Sequence, residues 1–323
     1  MKRVLLLGGT GFVGRHLCER LARLHWPMTV ATRRAGHASH IQHLPRLTVI
    51  EADVHDEATL RQLLAGHDAV VNLVAILHGD AAAFERSHVE LPAKLARACL
   101  TTGVKRLVHV SALGAAPAAA ASAPSHYLRS KSRGEAELQA AAAQGLQLTV
   151  LRPSVIFGAD DRFLNLFAAL QRVFPFMPLA GAQARFQPVW VEDVAQALAH
   201  CLQDARTVGQ TFELCGPSVY TLKELVQLAG RAAGIAHGRG RPVIPLPAAL
   251  GRLQALMMEL APGPTLMSRD NLDSMKVDNV ATGRVPGIAA LGITPTGATA
   301  VAPAYLGPAA DRHVTLRSQF RRR

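Results

Sequence analysis

Seven residues, Gly8-Gly9-Thr10-Gly11-Phe12-Val13-Gly14, constrain this chain more than any other stretch. The run from Arg3 to Leu7 is mostly apolar, and Val13, Leu17, Leu21 and Leu24 then recur at helical spacing, so the glycines stand at a strand-to-helix turn. Glycines at 8, 11 and 14 let the backbone turn sharply, approach a pyrophosphate closely and pack the new helix on its strand. The amide-rich N-terminus of that helix then faces the phosphates. Strand, turn and helix all fall where a dinucleotide motif requires them, which distinguishes this match from a lone glycine triplet.

Met28 to Thr32 reads as a second strand ending in Arg33-Arg34, where an NAD-preferring site would offer a carboxylate to the adenosine ribose. A carboxylate repels a 2′-phosphate, whereas guanidinium groups bind it through charge-assisted contacts. The expected cofactor is therefore NADP(H), with NAD(H) as the second choice. Leu47 to Ala52 forms a third strand and delivers Asp53, read either as an acceptor for the adenine amino group or as the cap of a helix starting near Glu57. Ala69 to Val74 is a fourth strand of nearly continuous apolar character, and its end carries Asn72, Leu73, Val74 and Ala75 toward the cofactor side.

A helix around Phe84 to Leu100 and a fifth strand, Val104 to Val110, bring Ser111 to the carboxyl end of the sheet, where open parallel sheets place their ligands. Ala112 to Pro124 reads as a low-complexity loop. A helix from Ser125 to roughly Ala143 then sets Tyr127 and Lys131 one turn apart on one face. A phenol is a poor acid at neutral pH, but an ammonium one turn away stabilises the phenolate and also reaches a nicotinamide ribose. Ser111, Tyr127 and Lys131 are the candidate catalytic residues, with Ser111 donating to a substrate carbonyl and Tyr127 exchanging the proton that accompanies hydride transfer. The candidate cofactor-binding residues are Gly8, Thr10, Gly11, Phe12, Val13, Gly14, Arg33, Arg34, Asp53, Val54, Leu73, Val74, Ala75, Tyr127, Lys131, Pro153 and Val155.

Leu146 to Leu151 forms a sixth strand, and the alternation of strands and helices indicates an α/β fold, a Rossmann doubly wound parallel sheet with a smaller C-terminal α/β lobe. With 323 residues, 49% of them apolar, the chain has core enough for two lobes. Residues 1–153 are assigned to the NAD(P)-binding Rossmann domain, with 186–215 returning to it, and residues 154–323 to the smaller lobe and a basic tail.

The four cysteines, at 18, 99, 201 and 215, form no C-x-x-C pair, which argues against structural zinc, an iron-sulfur cluster or a disulfide framework and fits a reducing compartment. No metal is expected: His37, His40 and His43 recur every three residues without a carboxylate or cysteine companion and read as surface groups. The formal net charge of +12 attracts phosphates or an anionic surface, but no basic stripe is interleaved with aromatics, which argues against nucleic acid. Arg317 and Arg321 to Arg323 form a basic end, read either as a solvated, mobile terminus or as a contact for an acidic partner or membrane face. No apolar run approaches the roughly 18 residues that span a bilayer, and Met1-Lys2-Arg3 leads straight into the first strand without a signal-peptide pattern. A cytoplasmic location, peripheral at the inner face of the bacterial inner membrane, is the expectation.

In the second lobe, Leu246, Leu250, Leu253, Met257 and Leu260 fall on one helical face, with Arg252, Gln254 and Glu259 elsewhere. Periodicity favours a core-facing helix. The alternative, a face that covers an apolar substrate tail or touches a membrane, has the same periodicity.

The glycine turn, the Tyr127 and Lys131 pair, Arg152-Pro153-Ser154-Val155-Ile156-Phe157-Gly158 and Val189-Trp190-Val191-Glu192-Asp193-Val194-Ala195, whose Asp193 reads as an N-cap, occur in an order that resembles the extended short-chain dehydrogenase/reductase superfamily. His88-Val89-Glu90-Leu91-Pro92, Tyr220 to Leu225, Leu266 to Leu272 and Leu291 to Thr296 resemble its atypical branch, which includes the nucleotide-binding accessory subunit of respiratory complex I and its bacterial relatives. The resemblance implies an NADP(H)-bound Rossmann lobe in which Gly8, Gly11, Gly14 and Arg33 carry over to the cofactor site. Leu7 departs from the threonine of many extended members, and no asparagine of the usual catalytic tetrad is assigned. Two functions follow as expectations: an NADP(H)-dependent oxidoreductase acting on an apolar carbonyl or quinone-related substrate, or a non-catalytic NADP(H)-binding subunit or assembly factor of a respiratory or quinone-pathway complex.

Overall fold

The computed structural model describes residues 2–261 and 265–307. The basic cluster at Arg317 and Arg321 to Arg323 lies outside the described residues. In chain order the elements begin with β1 (Val4–Leu7), α1 (Phe12–Arg23), β2 (Met28–Thr32), β3 (Leu47–Glu51), α2 (Glu57–Leu64), β4 (Ala69–Asn72), α3 (Ala81–Glu85) and α4 (Leu91–Thr102). They continue with β5 (Arg106–Val110), α5 (His126–Ala142), β6 (Gln147–Pro153), β7 (Ile156–Phe157), α6 (Leu164–Val173), β8 (Met177–Leu179), β9 (Arg185–Phe186) and β10 (Val189–Trp190). The last are α7 (Val191–Gln203), β11 (Thr211–Leu214), β12 (Tyr220–Thr221), α8 (Leu222–Ala232), β13 (Val243–Pro245), α9 (Ala248–Leu260), α10 (Arg269–Ser274) and α11 (Ala298–Leu306).

The chain divides into two units. The first comprises the residues up to Pro153 together with Val191–Leu214 and Ala281–Thr294. Its seven-stranded sheet runs β11-β6-β5-β4-β1-β2-β3, and every neighbouring pair is parallel. The order reverses between β1 and β4, where Leu7 stands opposite Asn72. Such a switch point opens a crevice at the carboxyl ends of the strands. Strands β1, β2 and β4 are buried along their whole length, as central parallel strands covered on both faces must be. Leu5, Leu7, Val70, Leu95 and Leu107 join one core cluster under α2 and α4. All four cysteines are buried, and burial pushes the thiols of Cys18, Cys99 and Cys201 up to about 12.

The second unit comprises Ser154–Trp190, Cys215–Val280 and the described residues from Pro295. Three short strand pairs, β7 with β10, β8 with β13 and β9 with β12, accompany α6, α8 and α11, whose apolar faces form its core around Phe167, Leu225 and Ala302. The segment 281–294, grouped with the smaller lobe on sequence, joins the first unit, where Gly287 bridges Glu213 of β11.

Four local expectations are corrected. Asp193 is not an N-cap: α7 begins at Val191, so Asp193 lies buried inside the first turn. Asp53 does not cap α2, because Asp56 does, accepting from the Thr59 amide at 2.8 Å. The single helix expected over Phe84 to Leu100 is α3, a π turn over Arg86–Glu90 and then α4. Pro92 has no N–H to give the His88 carbonyl, which an α-helix would require, and the wider turn resolves the conflict. Finally, α9 does not face the core with its large residues. Gly251 and Ala255 are its buried positions, while Leu250, Leu253, Met257 and Leu260 are exposed.

Candidate active site

The glycine turn is shaped by two positions above all. Gly8 has φ +83°, a left-handed conformation that disfavours side chains, and an added Cβ there would stand 3.0 Å from the Leu73 carbonyl carbon. Gly14 packs so closely that a Cβ would collide with the backbone of Gly8 and Gly9. The turn thus lies against the loop after β4, and Thr10, Gly11, Phe12 and Val13 carry the chain into α1. Among the described residues no side chain caps α1, so its leading amides point outward without a partner of their own kind. Such an end suits an anion. Asn72 fixes the facing loop: its Oδ1 accepts from the Val74 amide at 3.1 Å, and its amide nitrogen lies 3.3 Å from Nδ1 of buried His109.

At the end of β2, Arg33 and Arg34 are exposed, and among the described residues neither is held in an ion pair. Asp53 is exposed, accepts from the His55 amide at 3.0 Å and stands 3.9 Å from the Arg86 guanidinium. The Val54 side chain packs in the core, which leaves only its backbone to meet a ligand. Leu73 and Val74 are partly buried and Ala75 is exposed. Pro153 is buried at the end of β6, its carbonyl accepting from the Leu113 amide. Val155 belongs to the second unit, where its amide donates to Asn279.

The three candidate catalytic residues come from β5 and α5. Ser111 follows β5 directly and its amide donates to Leu151 of β6 at 2.8 Å. The Ser111 side chain is 4% exposed, and its hydroxyl has no hydrogen-bond partner among the described residues. A buried hydroxyl without a partner is rare, and this one stands at the carboxyl end of β5, where open parallel sheets place their ligands. Ser125 caps α5 by accepting from the Leu128 amide, which sets the phase that turns Tyr127 and Lys131 inward. The Lys131 ammonium donates to the Val110 carbonyl at 2.8 Å, immediately before Ser111. Burial lowers Lys131 to about 8, with the Glu135 carboxylate opposing the shift.

Burial also raises Tyr127 to about 12, and this differs from the stabilised phenolate expected from the spacing. The reason is local: Lys131 spends a hydrogen bond on a backbone carbonyl, and desolvation dominates the phenol. Tyr127 therefore holds its proton at neutral pH.

Five further residues, His88, Ser130, Phe84, Glu135 and Arg152, line the site, and none of them was assigned to it on sequence. His88, turned inward by the π turn, accepts from the Ile76 amide at Nε2 (3.1 Å), so its Nδ1 carries the proton donated to Ser130 at 2.9 Å. The Ser130 hydroxyl in turn donates to the Tyr127 carbonyl. The His88 and Tyr127 rings meet edge to face, with centroids 5.5 Å apart, and Phe84 touches both. Burial holds His88 at about 3. Glu135, fully buried, receives Arg152 at both carboxylate oxygens and so ties α5 to β6. One sequence signal was available: Tyr127, Ser130, Lys131 and Glu135 place polar groups along the face of a helix that must cover a sheet.

Comparisons with known proteins agree with this geometry. The model of the NAD dependent epimerase/dehydratase family matches residues 4–215. Mouse NADH dehydrogenase [ubiquinone] 1 alpha subcomplex subunit 9, mitochondrial, is 31% identical over 301 residues, covering 90% of this chain and 76% of that protein. A ceramide reductase of Caulobacter vibrioides is 29% identical over 221 residues, 65% of this chain and 67% of its own. The fold is shared with dTDP-glucose 4,6-dehydratase of Streptomyces venezuelae, solved with NAD bound, at a TM-score of 0.65 and 23% identity over 76% of this chain and 84% of that one. The parallel sheet, the glycine turn at its switch point and these matches lead to one assignment: the chain belongs to the NAD dependent epimerase/dehydratase family.

Proposed function

We propose that this protein is an NADP(H)-dependent oxidoreductase that reduces an apolar carbonyl or a quinone-related substrate. The observation that carries this reading is the buried Ser111 hydroxyl without a protein partner, beside the carbonyl that Lys131 holds. The residues present fit a dinucleotide: Gly8 and Gly14 form a cradle that any Cβ would fill, the α1 amides suit the pyrophosphate, and Arg33 and Arg34 suit a 2′-phosphate. When bound, the cofactor supplies a hydride. Ser111 donates to the substrate oxygen and orients it. Tyr127, kept protonated, delivers its proton to that oxygen, a role suited to reduction more than to oxidation. Lys131, held beside the Val110 carbonyl, would hold the nicotinamide ribose when a dinucleotide is bound.

A lipophilic substrate is supported by the name of the Caulobacter relative, a reductase of ceramide. The reading includes a peripheral position at the inner face of the bacterial inner membrane; among the described residues no helix is long and apolar enough to cross one. A second reading, a non-catalytic subunit that keeps its dinucleotide for stability, is favoured by relatives named as subunits of respiratory NADH dehydrogenase.

The test is consumption of NADPH by the full chain with long-chain ketones and quinones, comparing wild type with Tyr127→Phe. Loss of at least about 100-fold in rate, with dinucleotide affinity unchanged, supports the enzyme. Consumption that is equally fast in the variant removes Tyr127 as the acid. Tight binding without consumption of any acceptor favours the second reading.

A further inference from the structure

We propose that the second unit docks on an anionic lipid surface through the exposed face of α9. This rests on the peripheral membrane position in the oxidoreductase reading and does not depend on turnover at Tyr127.

The face is built by an inverted distribution of side-chain size. Gly251 and Ala255 fill the side of α9 that meets its own unit: a Cβ on Gly251 would stand 2.7 Å from that of Ala180, and Gln254 donates to the Pro178 carbonyl at 3.3 Å. The large residues point the other way. Leu250, Leu253, Met257 and Leu260, spaced three, four and three apart, are 53%, 54%, 63% and 74% exposed. The two charged residues of the helix are drawn aside, Arg252 to Asp273 at 2.9 Å and Glu259 to Arg269 at 2.9 Å, so the stripe itself is uncharged.

Neighbouring segments extend it. Strand β8 pairs with β13, and Phe174 and Phe176 just before β8 and Ile244 in β13 are about half exposed. Scattered exposed leucines need no explanation, but apolar side chains gathered from three adjoining segments mark an interaction site.

Charge selects the occupant. Exposed Arg172 adjoins this apolar run in sequence and exposed Arg239 lies in the loop before β13, while the whole chain carries a formal +12. An apolar α9 face, with exposed arginines in the segments that carry Phe174 and Ile244, suits a helix lying in the plane of an anionic membrane surface, its apolar face among the acyl chains.

The experiment is flotation of the full chain with vesicles of phosphatidylcholine alone and of phosphatidylcholine mixed with phosphatidylglycerol. Wild type is expected to float with the mixed vesicles and weakly with the neutral ones. Leu253→Glu combined with Met257→Glu is expected to lower binding at least about tenfold, and the milder pair Leu253→Ser and Met257→Ser by a smaller factor. Dinucleotide affinity, measured on each variant, reports folding separately and should not move. Wild type remaining unbound by both vesicles would contradict the proposal and leave the face to a protein partner. Variants that bind as well as wild type would contradict it too, assigning attachment to the basic C-terminal residues.

Discussion

Lys131 reaches across from α5 to the last carbonyl of β5, donating to Val110 at 2.8 Å. That bond places a cation one residue from the Ser111 hydroxyl, in surroundings that lower its pKa to about 8. Charge at this point is therefore divided near neutral to mildly alkaline pH. Below about 8 the ammonium is available to a ribose hydroxyl, and above it the amine has lost the charge. Dinucleotide affinity in wild type is expected to weaken as pH rises through about 8, whereas Lys131→Met should bind more weakly throughout and show no such transition. Fluorescence titration of NADPH across that range checks both; an identical pH profile in the variant would remove Lys131 from the site.

The two buried histidines predict how the fold responds to acid. Burial is the leading cause that lowers His88 to about 3 and His109 well below 6.5. The unfolded chain takes up a proton at each near 6.5 while the native protein does not, so stability is fully present above 6.5 and falls as pH drops below it. Each histidine contributes a slope of about 1.4 kcal/mol per pH unit. Urea unfolding at several pH values should show this decline, and His88→Gln, which keeps a donor and an acceptor, should lower the slope by one histidine's share. A stability independent of pH in this window would show that the rings are solvated.

Close approach of α5 to the π turn is as sensitive as the chemistry it supports. A Cβ at Gly134 would collide with the His88 carbonyl, a rigid backbone atom. Gly134→Ala is expected to cost about 1–3 kcal/mol and to reduce turnover by displacing Tyr127 from its histidine contact. Removing Arg152 takes the ion-pair partner from the fully buried Glu135 carboxylate and leaves Gln139 donating to it at 3.2 Å, so Arg152→Met should destabilise the protein by about 3–5 kcal/mol. Thermal and chemical unfolding measure both, and a neutral Arg152→Met would contradict a stabilising role for the Arg152–Glu135 pair.

The parallel sheet was legible because its strands are short apolar runs alternating with helical periods, and the glycine turn because φ and close packing at Gly8 and Gly14 admit little else. The site was legible where spacing carries chemistry, as with Tyr127 and Lys131. Its supporting groups were not. His88 faces inward through a π turn that has no pattern of its own, and Glu135 meets Arg152 across 17 residues by tertiary packing alone. The α9 stripe shows the limit of periodicity most plainly. Apolar spacing fixes which residues share a face, but Gly251 and Ala255 decide which face is buried, because a small side lets a helix approach Ala180.

The proposed oxidoreductase activity requires a phosphorylated dinucleotide on the glycine turn, with its 2′-phosphate proposed to lie at Arg33 and Arg34. Calorimetric titration of the full chain with NADPH and with NADH tests this directly. NADPH is expected to bind at least about tenfold more tightly, a difference of about 1.4 kcal/mol, and Arg33→Ala with Arg34→Ala should erase the difference while leaving NADH affinity in place. Equal affinity for the two cofactors in wild type, or binding of neither, would contradict the account.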